Sequence, residues 1–351
     1  MCYHPMKAFD TGFLTDNGKP LYKICSYDTP FIHKPKSKDV AQSQKLQNVW
    51  TDWKIYDFVE IPCGKCIECR FAYAREWANR CMLEMKNYKD NEFITLTYDD
   101  KHLPTKSGVD LETGELTTIG YLKDTDLTKF MKDLRRYYKY HFNHEGIRFY
   151  ACGEYGDLHK RPHFHLIVFN LPVQDKKFAF TNKKGNVNYH SEIIQKIWGK
   201  GLTSLAEVNW NTCAYTARYI VKKQKGKGSA EWYAKRGLTS EFVRMSRRPG
   251  IAHQYYEENK KEIYKTDEMF LKERNGEVKA IKPAKYYDKL FDLENPERMK
   301  QIKKIRKEFA ENVLKIQLEK TDLNLEEYRE MKEKQKEEQA KKLIRILEKT
   351  G

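Results

Sequence analysis

Three observations predict an α+β fold built on an antiparallel sheet, with a helical C-terminal tail. Two β-branched and aromatic runs, Phe93–Tyr98 and Ile147–Cys152, flank a stretch of helical periodicity. A third apolar run, Arg161–Phe169, follows within ten residues and carries two histidines. A helical stretch and another strand come next, so the order reads β-α-β-β-α-β. That is the split βαβ pattern of ferredoxin-like sheets, and it places the histidine strand centrally, with helices flanking the sheet.

Taken in order, residues 1 to about 60 are rich in Pro, Lys, Asp and Ser and read as an irregular arm. Cys63–Cys69 reads as a tight turn. From Arg70 to Tyr88, Phe71, Ala74, Trp77, Cys81, Met82 and Met85 recur at helical spacing. Phe93–Tyr98 is a strand, and 99–121, with Pro104 and three glycines, reads as a loop. Asp124–Phe142 is a helix capped by Asp124, Thr125 and Asp126. Ile147–Cys152 is a strand, Gly153–Asp157 a turn, and Arg161–Phe169 the histidine strand. Ser191–Trp198 is a helix ended by Gly199 and Gly201. Leu202–Val208 is a strand and Thr212–Lys223 a helix. Phe242–Gly250, with Arg247 and Arg248, reads as a basic loop. From Asn295 the chain is rich in Lys and Glu, with Ile302, Ile305, Phe309, Val313 and Ile316 at helical spacing, as in a solvated helix or helical hairpin. The implied division is an arm with the cysteine cluster and a helix (1–90), a central domain (91–255) and a charged, mainly helical region (256–351).

The chain has 351 residues and a net charge of +16, with 33 % charged and 13 % aromatic residues. Surplus cations suit phosphates, and rings suit bases. No apolar run resembles a signal peptide or a membrane span, so the chain reads as soluble and intracellular, with no membrane partner. In a reducing compartment, clustered cysteines favour metal over disulfides.

Alternate strand residues share a face. His163, His165, Ile167 and Phe169 therefore lie on one face, and Phe164, Leu166 and Val168 on the other. Two imidazoles side by side can hold one metal ion. Glu154, nine residues before His163, is the candidate third ligand, with Asp157 and His159 as competitors. Two imidazoles and a carboxylate suit Mg²⁺ or Mn²⁺ with exchangeable positions. Ile167 stands where the His-x-His-x-Asp-His metallo-β-lactamase pattern needs Asp, and where a triad of alternating histidines needs its third member. Tyr215 and Tyr219, four apart on a helix, share a face. A phenol titrates near 10 and attacks phosphate only when it is aligned and the phosphate charge is offset, which a metal does. With 23 tyrosines in the chain the pair acquires meaning only beside the histidines. Lys222, Lys223 and Lys225 follow it, and with Arg247 and Arg248 are the candidate DNA-backbone contacts. Cys63-x-x-Cys66-x-x-Cys69 has zinc-ligand spacing, with Cys2 as fourth ligand and His4 or Cys25 as alternatives. An iron–sulfur cluster is the other reading.

The runs Phe93–Tyr98, Arg161–Phe169 and Tyr215–Lys222 resemble the three ordered motifs of the HUH endonucleases, the rolling-circle replication initiators. Ile61–Arg70, Arg75-Glu76-Trp77, Gly153-Glu154-Tyr155-Gly156 and Ser246–Gly250 further resemble the initiators of gokushovirus-type microviruses, over roughly residues 60–255. The resemblance implies an HUH endonuclease fold in which His163 and His165 bind the divalent metal. Tyr215 and Tyr219 would nick single-stranded DNA, each in turn forming a 5′-phosphotyrosine link, and then rejoin the strands. It implies the phage replication origin and the host replication machinery as partners, in the host bacterial cytoplasm. A non-catalytic nucleic-acid binder on a ferredoxin-like sheet is the alternative, and a relaxase or transposase would share the chemistry.

Overall fold

The computed structural model describes residues 1–42, 50–109, 114–156, 160–182, 185–218, 228–272 and 276–348. They fall into two units, Met1–Arg70 with Leu323–Gln339, and Phe71–Asp322 with Ala340–Gly351.

The first unit overturns the expectation of an irregular arm. Its elements in order are β1 (Met6–Leu14), β2 (Pro20–Cys25), β3 (Ile32–Pro35), α1 (Lys38–Gln42), β4 (Trp50–Ile55) and β5 (Phe58–Ile61). β1 lies between β2 and β5, and β3 pairs with β4, all antiparallel. These strands were hard to read because their apolar signal is thin. β2 alternates exposed with only half-buried positions, and Asp10 and Gly12 interrupt β1. Phe9 and Ala8 supply most of the buried face of β1. In the same unit, helix Leu325–Glu348 contributes Arg329, Glu333 and Lys336. They reach Glu60 at 3.2 Å, His4 at 2.6 Å and Glu68 at 3.6 Å.

The second unit holds most of α2 (Ile67–Met85), then β6 (Asn91–Thr97), β7 (Thr105–Val109), β8 (Leu116–Gly120), α3 (Asp124–Phe142), β9 (Arg148–Tyr155) and β10 (Pro162–Phe169). β11 (Lys177–Thr181), β12 (Val187–His190), α4 (Glu192–Trp198), β13 (Thr203–Glu207) and α5 (Trp210–Ala217) follow. After them come α6 (Ser229–Lys235), β14 (Phe242–Met245), α7 (His253–Thr266), β15 (Met269–Lys272), β16 (Val278–Ile281), α8 (Lys285–Glu294) and α9 (Pro296–Leu318). Seven strands form one antiparallel sheet in the order β11-β12-β13-β6-β10-β9-β14. The histidine strand β10 is interior, paired with β6 and β9. The expected alternation holds. Phe164, Leu166 and Val168 pack with Leu127, Phe130 and Leu134 of α3 and Ile194 and Trp198 of α4. Ile167 and Phe169 lie on the opposite face with residues of α2, α5, α7 and α8.

Several local expectations are corrected. The predicted loop 99–121 contains the β7–β8 hairpin. Asp124, Thr125 and Asp126 do not cap α3; its N-cap is Lys123, without a side-chain cap. Asp124 instead pairs with Arg244, and Asp126 accepts from Tyr98 Oη at 3.0 Å. The predicted turn at Gly153 is strand, because β9 runs on to Tyr155. The start of the predicted basic loop is β14, an edge strand on β9. α4 ends as expected, with Gly199 as a left-handed C-cap. The tail is helical, as α9 and Leu325–Glu348, with Ile302 buried and Ile305, Phe309 and Ile316 exposed. Among the described residues no helix is long and apolar enough to cross a membrane.

Candidate functional site

The site is assembled by strand register. β9 and β10 place Glu154 directly opposite His163, and Cys152 opposite His165. On the other side of β10, Thr95 of β6 lies opposite His165. Directly opposed residues of neighbouring strands point to the same side, so Glu154 joins both histidines on one face. Glu154 and His165 are buried, and His163 is half-buried.

The two imidazoles converge on one oxygen. His163 Nε2 and His165 Nε2 each lie 3.3 Å from Glu154 Oε1. Their outer nitrogens are held by neighbours: His163 Nδ1 donates to the Arg161 carbonyl at 3.1 Å, and His165 Nδ1 lies 3.0 Å from Thr95 Oγ1. A carbonyl only accepts, so Nδ1 of His163 carries its hydrogen and Nε2 turns a lone pair toward the carboxylate. Two lone pairs facing one carboxylate oxygen repel unless a proton or a cation lies among them. The donor set therefore fits a divalent cation, and the three ligand atoms lie within 4.8 Å of one another. Burial pushes the Glu154 carboxyl up. Hydrogen bonds from His163 and His165, with their positive charge, outweigh it and hold Glu154 well below the usual carboxylate range.

α5 lies over this face. Its first turn is fixed by a capping box, in which Asn209 accepts from Thr212 N and Thr212 Oγ1 accepts from Asn209 N. Cys213, Ala214, Thr216 and Ala217 bury one side of the helix, and Tyr215 projects half-buried from the other. Its hydroxyl donates to Glu154 Oε1 at a long 3.4 Å. Its ring meets His165 edge-on at 4.8 Å between centroids, and Phe93 stacks on the other side of His165 at 5.6 Å. Tyr215 is thus next to the histidine pair, as its role would require.

Arg218 is a neighbour that the sequence reading missed. It caps the end of α5, and its Nε donates to the Ala214 carbonyl at 3.2 Å. Burial pushes its guanidinium down, while the Tyr215 phenol oxygen acts in the opposite direction. The available signal was spacing: three residues after Tyr215 on a helix is the same face.

The other expected residues distribute unevenly. Tyr219, Lys222, Lys223 and Lys225 lie outside the described residues, as do the competing ligands Asp157 and His159. Arg247 and Arg248 are exposed just after β14, where Ser246 N donates to the Phe149 carbonyl. That is five residues along β9 from Glu154, roughly 17 Å, so they are not beside the histidines.

A second cluster lies in the first unit, where the Sγ atoms of Cys2, Cys63, Cys66 and Cys69 are all within 4.8 Å of one another. Cys2 joins the other three, whereas His4 bonds Glu333. Backbone N–H groups of Lys65 and Cys66 donate to Cys63 Sγ at 3.4 and 3.3 Å, and that of Cys63 to Cys2 Sγ at 3.3 Å. The hydrogen bond from Cys2 leads the effects holding the Cys66 thiol well below the usual thiol range. Four thiolate donors with backbone support form a possible zinc site.

The profile of the replication-associated protein family typified by ORF2 matches residues 91–224, a span containing Glu154, His163, His165 and Tyr215. The chain is similar to Replication-associated protein ORF2 of Spiroplasma virus 4, with 37 % identity over 235 residues, 67 % of this chain and 68 % of that one. It is also similar to Replication-associated protein VP4 of Bdellovibrio phage phiMH2K, at 36 % over 166 residues, 46 % of this chain and 48 % of that one. A third relative, Replication-associated protein ORF4 of Chlamydia phage 1, is 30 % identical over 168 residues, 46 % of this chain and 38 % of that one. No solved structure matches.

Proposed function

This chain belongs to the ORF2-type family of replication-associated proteins, and we propose that it nicks and rejoins single-stranded DNA at a phage replication origin by tyrosine attack. The observation that carries the proposal is the convergence of His163, His165 and Glu154 within 3.3 Å contacts beside the Tyr215 hydroxyl. We assign the chemistry to residues 91–255, on a sheet of ferredoxin-like type. The order β13-β6-β10-β9 supports that reading, since it is the 4-1-3-2 order of a split βαβ unit.

In this reading His163, His165 and Glu154 hold Mg²⁺ or Mn²⁺. The bound ion would polarise the scissile phosphate and offset its charge. Tyr215 Oη attacks phosphorus, the bond to the 3′ oxygen breaks, and a 5′-phosphotyrosine and a free 3′-hydroxyl result. Arg218 offsets negative charge as the phenol loses its proton. Thr95 and the Arg161 carbonyl keep both imidazoles oriented. Tyr219 is the second nucleophile, attacking when the origin is regenerated. Lys222, Lys223, Lys225, Arg247 and Arg248 hold the DNA backbone. Zinc on Cys2, Cys63, Cys66 and Cys69 is structural.

The test is covalent capture. Protein is mixed with circular single-stranded phage DNA and Mn²⁺, with and without chelator. A chelator-sensitive, denaturation-resistant adduct mapping to Tyr215 or Tyr219 is expected. Tight binding without any adduct on cognate DNA overturns the nickase reading in favour of a non-catalytic binder.

A further inference from the structure

The β11–β12 hairpin is an addition to the sheet that the chemistry above does not use. It follows β10 and extends the sheet to its far edge, where β11 has no neighbouring strand on its outer side among the described residues. All five residues of β11 are exposed, Phe178 at 66 % and Phe180 at 51 %. Residues 176–191 contain four lysines, three aromatic residues and no acid. Exposed rings cost free energy in water unless something covers them.

A bulge turns the two phenylalanines to opposite sides. Phe178 pairs with Tyr189, but Phe180 pairs with Asn188, because the register shifts between them. The register carries each pair across the sheet. Tyr189 aligns with Leu205 and Ile94, on the face covered by α3 and α4. Asn188 aligns with Ala206, Phe93 and Ile167. Phe93 is the ring that stacks on His165. Phe180 therefore lies on the same side of the sheet as Glu154 and Tyr215, four strand spacings or roughly 19 Å from β10. Lys177 pairs with His190 in the strand ladder, on that side too. Its ion pair with Glu192 at 2.7 Å is exposed at both ends, so it exchanges readily for a phosphate.

We infer that the catalytic-side surface of this hairpin binds single-stranded nucleic acid several nucleotides from the cut, with a base stacked on Phe180 and phosphate held by Lys177. The inference rests on the proposed function for the identity of the strand. Rings with interleaved cations fit a single strand, whose unpaired bases offer stacking faces.

The test measures binding of an origin-length single-stranded oligonucleotide by the full chain in a Tyr215→Phe, Tyr219→Phe background. Phe180→Ala is expected to weaken binding roughly 5- to 150-fold, the range of one lost base stack. Phe180→Trp restores it. Phe178→Ala, equally exposed but on the other side, leaves it within about twofold. Equal losses in the two alanine variants, no loss in either, or no binding by the parent overturn the inference. Adduct formation by the wild-type chain is scored separately. A Phe180-specific loss without any adduct therefore refutes the chemistry and leaves the surface, and the converse refutes the surface alone.

Discussion

Tyr215→Phe separates a chemical role for this tyrosine from a packing role. The substitution removes one oxygen and keeps the ring. The ring contacts with His165 at 4.8 Å and Phe93 at 6.4 Å persist. The hydroxyl gives up its long hydrogen bond to Glu154, at 3.4 Å. Hydrogen bonds contribute about 0.5–1.5 kcal/mol net, and one this long belongs at the lower end. For a domain of this size about 1 kcal/mol corresponds to roughly 2–4 °C in Tm, so the variant should melt within about 4 °C of wild type. It should bind DNA normally and form no adduct at position 215. Differential scanning calorimetry, an oligonucleotide-binding titration and peptide mapping of the covalent product read the three quantities. A fall in Tm well beyond that range, with binding lost as well, would show that the hydroxyl is structural. Unchanged adduct yield and first-cleavage kinetics, with all label on Tyr219, would show that Tyr215 is not needed as a nucleophile.

Glu154→Gln keeps the shape of the third ligand and removes its charge, so Mn²⁺ affinity measured by calorimetry should fall at least about 100-fold. An unchanged affinity would assign the cation elsewhere. The same variant tests the acid limb of stability. Because folding lowers the Glu154 pKa below 4.5, its contribution is present above that value and is lost as pH falls through the folded-state value. Metal-free wild type should therefore lose stability relative to the variant on acidification, as read by denaturant titrations at several pH values; parallel curves would refute it. Cys63→Ser should lower bound zinc from about one equivalent to none in elemental analysis, while the capture reaction persists, because the cysteine cluster and the histidine pair are separate donor sets. Full zinc retention would rule out that ligand.

Much of the candidate site was legible because the signals it uses are local. The alternation of Arg161–Phe169 assigned both histidines to one face, and the two cores flanking β10 keep that division. Glu154 was a harder case. Gly153 reads as a turn residue, yet it sits inside β9 for a packing reason: a Cβ there would come within 3.0 Å of the Phe242 ring and 3.1 Å of Leu122. Glycine can mark close packing as well as a bend, and only the partner strand β14 tells which. Arg218 was missed because a lone arginine after a tyrosine has many ordinary explanations. The first unit was misread because its strands bury few residues, and sheets of that kind leave little periodic trace in sequence. The bulge in β11, which decides the side Phe180 takes, depends on pairing with β12 and has no local signature.

The geometry of the ligands is set largely from the far side of the sheet. A one-residue slip between β9 and β10 would turn Glu154 away from His163 and into the core around Phe164. What resists the slip is the packing of Phe164, Leu166 and Val168 against α3 and α4, together with Ala151 opposite Leu166. These residues touch no ligand atom, yet they hold a carboxylate oxygen 3.3 Å from two imidazole nitrogens. Burying that carboxylate costs free energy that the sheet alone does not recover, and a cation among the three groups offsets it. Site and core are therefore linked through β10: its apolar side fixes the register, and that register creates a concentration of negative charge and lone pairs suited to a divalent ion.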